Sequence, residues 1–131
     1  MDSIGEMGSL FSLADLTVLG GSFVPKGGHN PLEPAAFGLP TITGPHIFKN
    51  TAEFAGLRER GVIFDIIYDG SGSSIAGQAV ANTAITIMKD KAQYKRMASA
   101  AKAYAITANK RAYNAAKIIA EIVPASQTTF P

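Results

Sequence analysis

The residues best placed to do chemistry lie between Gly20 and Pro34, in the string Gly20-Gly21-Ser22-Phe23-Val24-Pro25-Lys26-Gly27-Gly28-His29-Asn30-Pro31-Leu32-Glu33-Pro34. Four glycines fall within the nine residues from Gly20 to Gly28. With no Cβ in the way, such a backbone turns sharply and approaches a ligand closely. Asn30 suits an N-cap, Pro31 the first helical position, and Glu33 stands three residues after the cap, where its carboxylate can bond back to the cap's own amide. The free N–H groups of such a helix start attract phosphate. Every one of these features also serves a capped helix after a loop with no ligand at all. What favours a binding site is the density of polar side chains, His29, Asn30 and Glu33, at the carboxyl end of an expected strand, where open α/β sheets bind ligands.

The elements that must position this string can be read in order. Met7, Leu10, Phe11 and Ala14 recur at helical spacing, and Ser3 with Glu6 is spaced as a capping box, so a helix is expected from about Ser3 to Asp15. Leu16-Thr17-Val18-Leu19 is a short apolar strand that delivers the glycine loop. Residues Pro31 to Phe37 read as a short helix stopped by Gly38, and Leu39-Pro40-Thr41-Ile42-Thr43 as a second strand. Gly44-Pro45 then turns and leaves His46 at that strand's carboxyl end; on its own, a loop histidine bonded to backbone is the plainer reading of His46. A helix over Thr51–Arg60 precedes a third apolar strand, Val62 to Tyr68. The following loop, Asp69 to Ser74, lacks a Walker lysine, and Ser73 or Ser74 suits the next N-cap.

Three alanine-rich helices are expected next, over Ile75–Met88, Lys91–Tyr104 and Asn109–Val123. Ala76, Val80, Ala84 and Met88 form one apolar stripe, and Tyr94, Met97, Ala101 and Tyr104 another. The expected fold class is therefore α/β, a Rossmann-like parallel sheet with a helical C-terminal tail over about residues 75–123. A chain that opens with one helix and one strand lacks the earlier βα units of a doubly wound sheet, so residues 1–131 are expected to be one partial domain.

Composition narrows the function classes. With 47% hydrophobic and 17% charged residues the chain can bury a core. A net charge of +2 from twelve basic and ten acidic residues is too small to argue for nucleic acid. Cysteine is absent, which excludes disulfides and thiolate metal sites, and with two histidines no metal is expected. There is no run of about eighteen apolar residues and no signal-peptide pattern. The basic residues from Lys89 to Lys117 read as solvated faces, with anionic phospholipid as the alternative partner.

Gly20-Gly21-Ser22, Gly27-Gly28-His29-Asn30-Pro31-Leu32-Glu33-Pro34-Ala35 and Gly44-Pro45-His46, preceded by Asp2-Ser3-Ile4-Gly5-Glu6-Met7, resemble the C-terminal part of the bacterial 3-deoxy-D-manno-octulosonic acid (Kdo) transferases. The likeness is dense from Asp2 to about His46 and architectural beyond. It implies the GT-B arrangement of two Rossmann-like domains, this chain being the last part of the second. The implied reaction is transfer of Kdo from CMP-Kdo to a lipid A precursor in lipopolysaccharide assembly, at the cytoplasmic face of the inner membrane, which the parent protein would meet. The resemblance places Ile4, Gly5, Glu6 and Met7 in the nucleotide pocket and extends the donor site to Gly21, Ser22, Gly28, His29, Asn30, Pro31, Leu32, Glu33 and His46. Ser22, the amides of Gly21 and Gly28, and the helix start at Asn30 would then meet the departing phosphate, and Glu33 the ribose hydroxyls. No residue here is assigned as general base, which the family keeps in its N-terminal domain, and no cofactor or metal is implied. Phe48-Lys49-Asn50-Thr51 departs from the family's usual aromatic-Asn-aromatic continuation after the Gly-Pro-His motif. Two other readings stay open, a GT-B transferase using a different nucleotide sugar and a non-catalytic nucleotide-binding module.

Overall fold

Three short apolar runs become three parallel strands, and helices pack on the two faces of the sheet they form. In this computed structural model, residues 9–67 and 73–122 are described. After a helical turn at residues 9–13 (α1), the order is β1 (Thr17–Val18), α2 (Leu32–Ala36), β2 (Thr41–Thr43), α3 (Thr51–Glu59), β3 (Ile63–Asp65), α4 (Ser73–Lys89) and α5 (Lys91–Ile122). The strands lie in the order β1-β2-β3, with Thr17 opposite Thr41 and Thr41 opposite Ile63. Parallel neighbours need crossover connections, which α2 and α3 supply. Strand β2 is central and buried on both faces, so it carries no polar-outward alternation.

Two apolar clusters hold helices to the sheet. On one face Leu19 and Ile63 meet Ala35 of α2, Phe54 and Leu57 of α3, and Ala101, Tyr104, Ala105 and Ala108 of α5. On the other, Ile42 and Ile66 meet Ile87 of α4 and Met97 of α5, with Phe64 and Tyr94 packed against them. Helix α5 therefore serves both faces, its first turns on one and its middle on the other. Its approach is close: a Cβ on Gly56 would stand 2.3 Å from the Tyr104 hydroxyl, and one on Gly38 2.9 Å from Cε of Lys102. The Tyr94 hydroxyl donates to the Asp15 carbonyl, fastening the start of α5 to the segment entering β1.

Strand positions and the parallel sheet agree with the sequence reading, but three details differ. The expected break between Tyr104 and Asn109 does not exist, and α5 is one helix. No glycine or proline interrupts Ala105-Ile106-Thr107-Ala108, and Thr107 satisfies its hydroxyl on the Ala103 carbonyl at 3.0 Å, inside the helix. In α4 the buried residue near the end is Ile87, and Met88 faces outward. In α1 Leu10 is exposed, whereas Phe11 packs on Phe37 with ring centroids 5.7 Å apart. The Ser3–Glu6 capping box, Tyr68 and residues 69–72 lie outside the described residues, as do the side chains of Ser73 and Ser74. Among the described residues, no helix is long and apolar enough to cross a membrane.

Candidate functional site

The loops leaving β1 and β2 emerge side by side at the carboxyl edge of the sheet, and one buried hydroxyl stitches them together. The amide of Leu19 donates to the Ile42 carbonyl at 2.9 Å as the last rung between the strands. Just beyond it, the fully buried Ser22 hydroxyl donates to the Leu19 carbonyl at 2.6 Å and accepts from the Gly44 amide at 2.9 Å. The His46 amide in turn donates to the Ser22 carbonyl at 2.9 Å. Residue 44 has to be glycine, because a Cβ there would stand 2.5 Å from the Ser22 carbonyl oxygen.

The glycine loop then closes on itself. The amides of Gly28 and His29 donate to the carbonyls of Gly21 and Gly20, at 3.0 and 3.1 Å. This fold-back lays the exposed His29 imidazole along Gly20 and Gly21, its ring atoms 3.3–3.6 Å from where their Cβ atoms would be. Gly21, Gly27 and Gly28 hold φ of 74°, 95° and 79°, the left-handed region that glycine enters without strain. On its inner side Gly28 abuts the His46 carbonyl and the Phe54 ring, 3.4 and 3.5 Å from a built Cβ. Gly20–Gly21, Gly28–His29 and Gly44–His46 thus meet although the sequence separates them.

At the start of α2 the Asn30 side chain accepts from the Leu32 amide at 3.0 Å, and Pro31 has helical φ and ψ of −76° and −11°. The cap position itself falls on Pro31, one residue later than expected, and Asn30 supports the helix start through its bond to Leu32, with Pro31 and Pro34 buried and Leu32 half-buried. The reciprocal capping-box bond is missing: the Glu33 carboxylate is exposed and makes no hydrogen bond among the described residues. The amides of Asn30 and Glu33 likewise have no acceptor among them. With only five residues, α2 offers these individual N–H groups rather than a substantial macrodipole.

Two expected phosphate donors are corrected by this geometry. The Ser22 hydroxyl gives its one hydrogen to Leu19, and the Gly28 amide gives its own to Gly21. In this arrangement both shape the loop and neither has a hydrogen left for a ligand. Gly21, His29, Asn30, Pro31, Leu32, Glu33 and His46 lie in the same edge region; Ile4, Gly5, Glu6 and Met7 fall outside the described residues. Sequence reasoning missed the wall formed by Phe48 and Lys49, whose side chains press on Gly27, 2.7 and 2.8 Å from a built Cβ. Its only signal was the departure from the family string after His46. Among the described residues no three His, Asp or Glu side chains are grouped to hold a metal ion.

Comparison with known proteins finds relatives in both sequence and fold. No protein-family model matches the chain. It is 38% identical over 82 residues to the 3-deoxy-D-manno-octulosonic acid transferase of Haemophilus influenzae, a stretch covering 63% of this chain and 19% of that enzyme. To the transferase of the same name from Bordetella pertussis it is 46% identical over 48 residues, 37% of this chain and 11% of that one. The chain thus spans a minor part of the curated relatives it matches. Its fold matches the crystal structure of the C-terminal CMP-Kdo binding domain of WaaA from Acinetobacter baumannii with a TM-score of 0.62 and 25% identity, over 79% of this chain and 50% of that one. By motif, by order and by fold, the chain matches the C-terminal part of the 3-deoxy-D-manno-octulosonic acid transferases.

Proposed function

We propose that this chain forms part of the donor seat of a Kdo transferase, holding CMP-Kdo while the sugar is passed to a lipid A precursor. One observation carries the reading: the three motifs shared with that family converge at the carboxyl edge of two adjacent parallel strands, stitched by Ser22 and closed by the Gly21–Gly28 bond. The neighbour of like fold is itself a CMP-Kdo binding domain. Glu33, exposed and without a hydrogen bond among the described residues, is an acceptor for ribose hydroxyls. The unpaired amides of Asn30 and Glu33, with the His29 ring nearby, meet the negative charge that grows on the departing cytidylate. By the resemblance, Ile4, Gly5, Glu6 and Met7, which lie outside the described residues, belong to the nucleotide pocket, and His46 borders the sugar.

Transfer also requires a base to take the proton from the acceptor hydroxyl. That group belongs to a second, N-terminal domain of the parent enzyme, which works at the cytoplasmic face of the inner membrane. The described residues serve the donor side of that reaction. Titration of the isotopically labelled 131-residue chain with CMP and with UMP tests this. CMP is expected to shift the amide resonances of His29 and Asn30 at lower concentration than UMP. Equal response to the two nucleotides, or none to either, removes the reading.

A further inference from the structure

Two arginines from different helices are held against one tyrosine in the groove between α3 and α5. Tyr104 of α5 lies directly on α3, where Gly56 leaves room for its ring, and its hydroxyl donates to the Ala52 carbonyl at 3.4 Å. The guanidinium carbon of Arg60, at the end of α3, stands 4.6 Å from the Tyr104 ring centroid, and that of Arg111, two turns later in α5, stands 5.6 Å from it. Hydrogen bonds fix both side chains. Arg60 donates from Nη1 to the Gly56 carbonyl at 2.8 Å, and Arg111 from Nη2 to the Tyr104 hydroxyl at 3.4 Å. Ala52 and Gly56 are four residues apart, so their carbonyls lie on one ridge of α3, about one 5.4 Å turn from each other, and both arginines are gathered along that ridge.

What the pair lacks is a counter-charge. Arg58, two residues before Arg60, is paired with Asp65 through two bonds of 2.8 and 2.7 Å. Neither Arg60 nor Arg111 meets a carboxylate among the described residues, and both are exposed. A tyrosine ring attracts cations but leaves their charge in place, so two like charges are held together on it. Each guanidinium has five N–H donors in a planar fork and uses one of them inside the molecule. We infer that Arg60 and Arg111 form a binding site for a phosphate dianion, made of residues that the donor seat does not use. A carboxylate is filled by one fork and neutralises one charge, whereas a phosphate offers oxygens to two forks and neutralises both. Because the side chains are fixed before the anion arrives, little ordering accompanies binding. Free phosphate and a phosphomonoester lipid headgroup carry the same chemistry, and the inference does not depend on the CMP-Kdo reading.

Titration of the isotopically labelled 131-residue chain with inorganic phosphate, against sodium chloride at equal ionic strength, reads the site through the arginine Nε–Hε resonances. Those of Arg60 and Arg111 are expected to shift together along one saturating curve, while that of Arg58, occupied by Asp65, does not respond. Arg111→Gln is expected to weaken the phosphate response of Arg60 at least about fivefold, and Arg60→Gln that of Arg111 likewise, the scale of one lost charge-assisted bond. Both residues are exposed, so these variants keep the fold, and Arg111→Lys, with the charge but not the fork, should fall between. Sedimentation with phosphatidylcholine vesicles, with and without phosphatidic acid, then separates the two sources. Retention on phosphatidic acid that Arg60→Gln abolishes assigns the site to a headgroup, and saturable phosphate binding without retention assigns it to free phosphate. A response to phosphate that matches chloride, or one at Arg60 that Arg111→Gln leaves unchanged, overturns the proposal.

Discussion

The carboxyl edge of the sheet and helix α5 are held by opposite means. At the edge, position is set by directional contacts, the two bonds of the Ser22 hydroxyl and the loop-closing amides of Gly28 and His29. Along α5, position is set chiefly by buried area, a stripe of side chains from Met97 to Ala108. The difference teaches where this chain keeps its precision. An atom moved at the edge changes what the loops present, whereas an atom moved on α5 changes mainly how tightly the body holds.

Phe54 belongs to both regions, since it is fully buried in the core shared with α5 and its ring supports Gly28. Phe54→Ala should therefore erase the contrast, lowering stability by about 3–5 kcal/mol in chemical denaturation and weakening CMP binding with it. Ser22→Ala should sharpen it. That change leaves the Gly44 amide and the Leu19 carbonyl without their buried partner, a loss of about 1–3 kcal/mol, and it should depress nucleotide affinity beyond what the lost stability explains. A melt and a CMP titration on the same sample separate the two effects.

On α5, Tyr94→Phe should cost about 1 kcal/mol near neutral pH, from its bond to the Asp15 carbonyl. Burial first, and then the Asp15 charge, hold the Tyr94 hydroxyl above its ordinary value of 10.0. The folded state thus prefers the neutral phenol, so its contribution is complete below pH 10.0 and lost as pH rises through the higher folded value. Alkaline denaturation should show a step that Tyr94→Phe lacks. The smallest effect is expected from Ile119→Ser, within about 0.5 kcal/mol, because Ile119 is 60% exposed and belongs to neither apolar cluster. A large loss there would mean that the far end of α5 packs on the body after all.

What could be read in the sequence follows the same division. Strand cores at Thr17–Val18, Thr41–Thr43 and Ile63–Asp65, and the start of α2 to within one residue, are local patterns and were legible. The single length of α5 was not, since alanine-rich sequence gives no sign of where a helix stops when neither glycine nor proline marks it. At the site, glycine and proline spacing revealed the loop but not its wiring. That Ser22 spends its hydroxyl on Leu19 and Gly44 depends on contact between residues 22 positions apart, which no local pattern encodes. The same holds for Lys49 against Gly27, visible only once the loops after β1 and β2 are brought together.

Past Ala108 every side chain of α5 is exposed, through Ile122. At about 1.5 Å per residue, that stretch is a cantilever of roughly 21 Å, within the length of about 12–15 residues at which an isolated helix is only marginal in water. Its coiling is seeded by the anchored half and should unravel from the far end inward. Amide hydrogens along this one helix are thus expected to exchange in a graded series, slowest near Ala101 and fastest near Ile122.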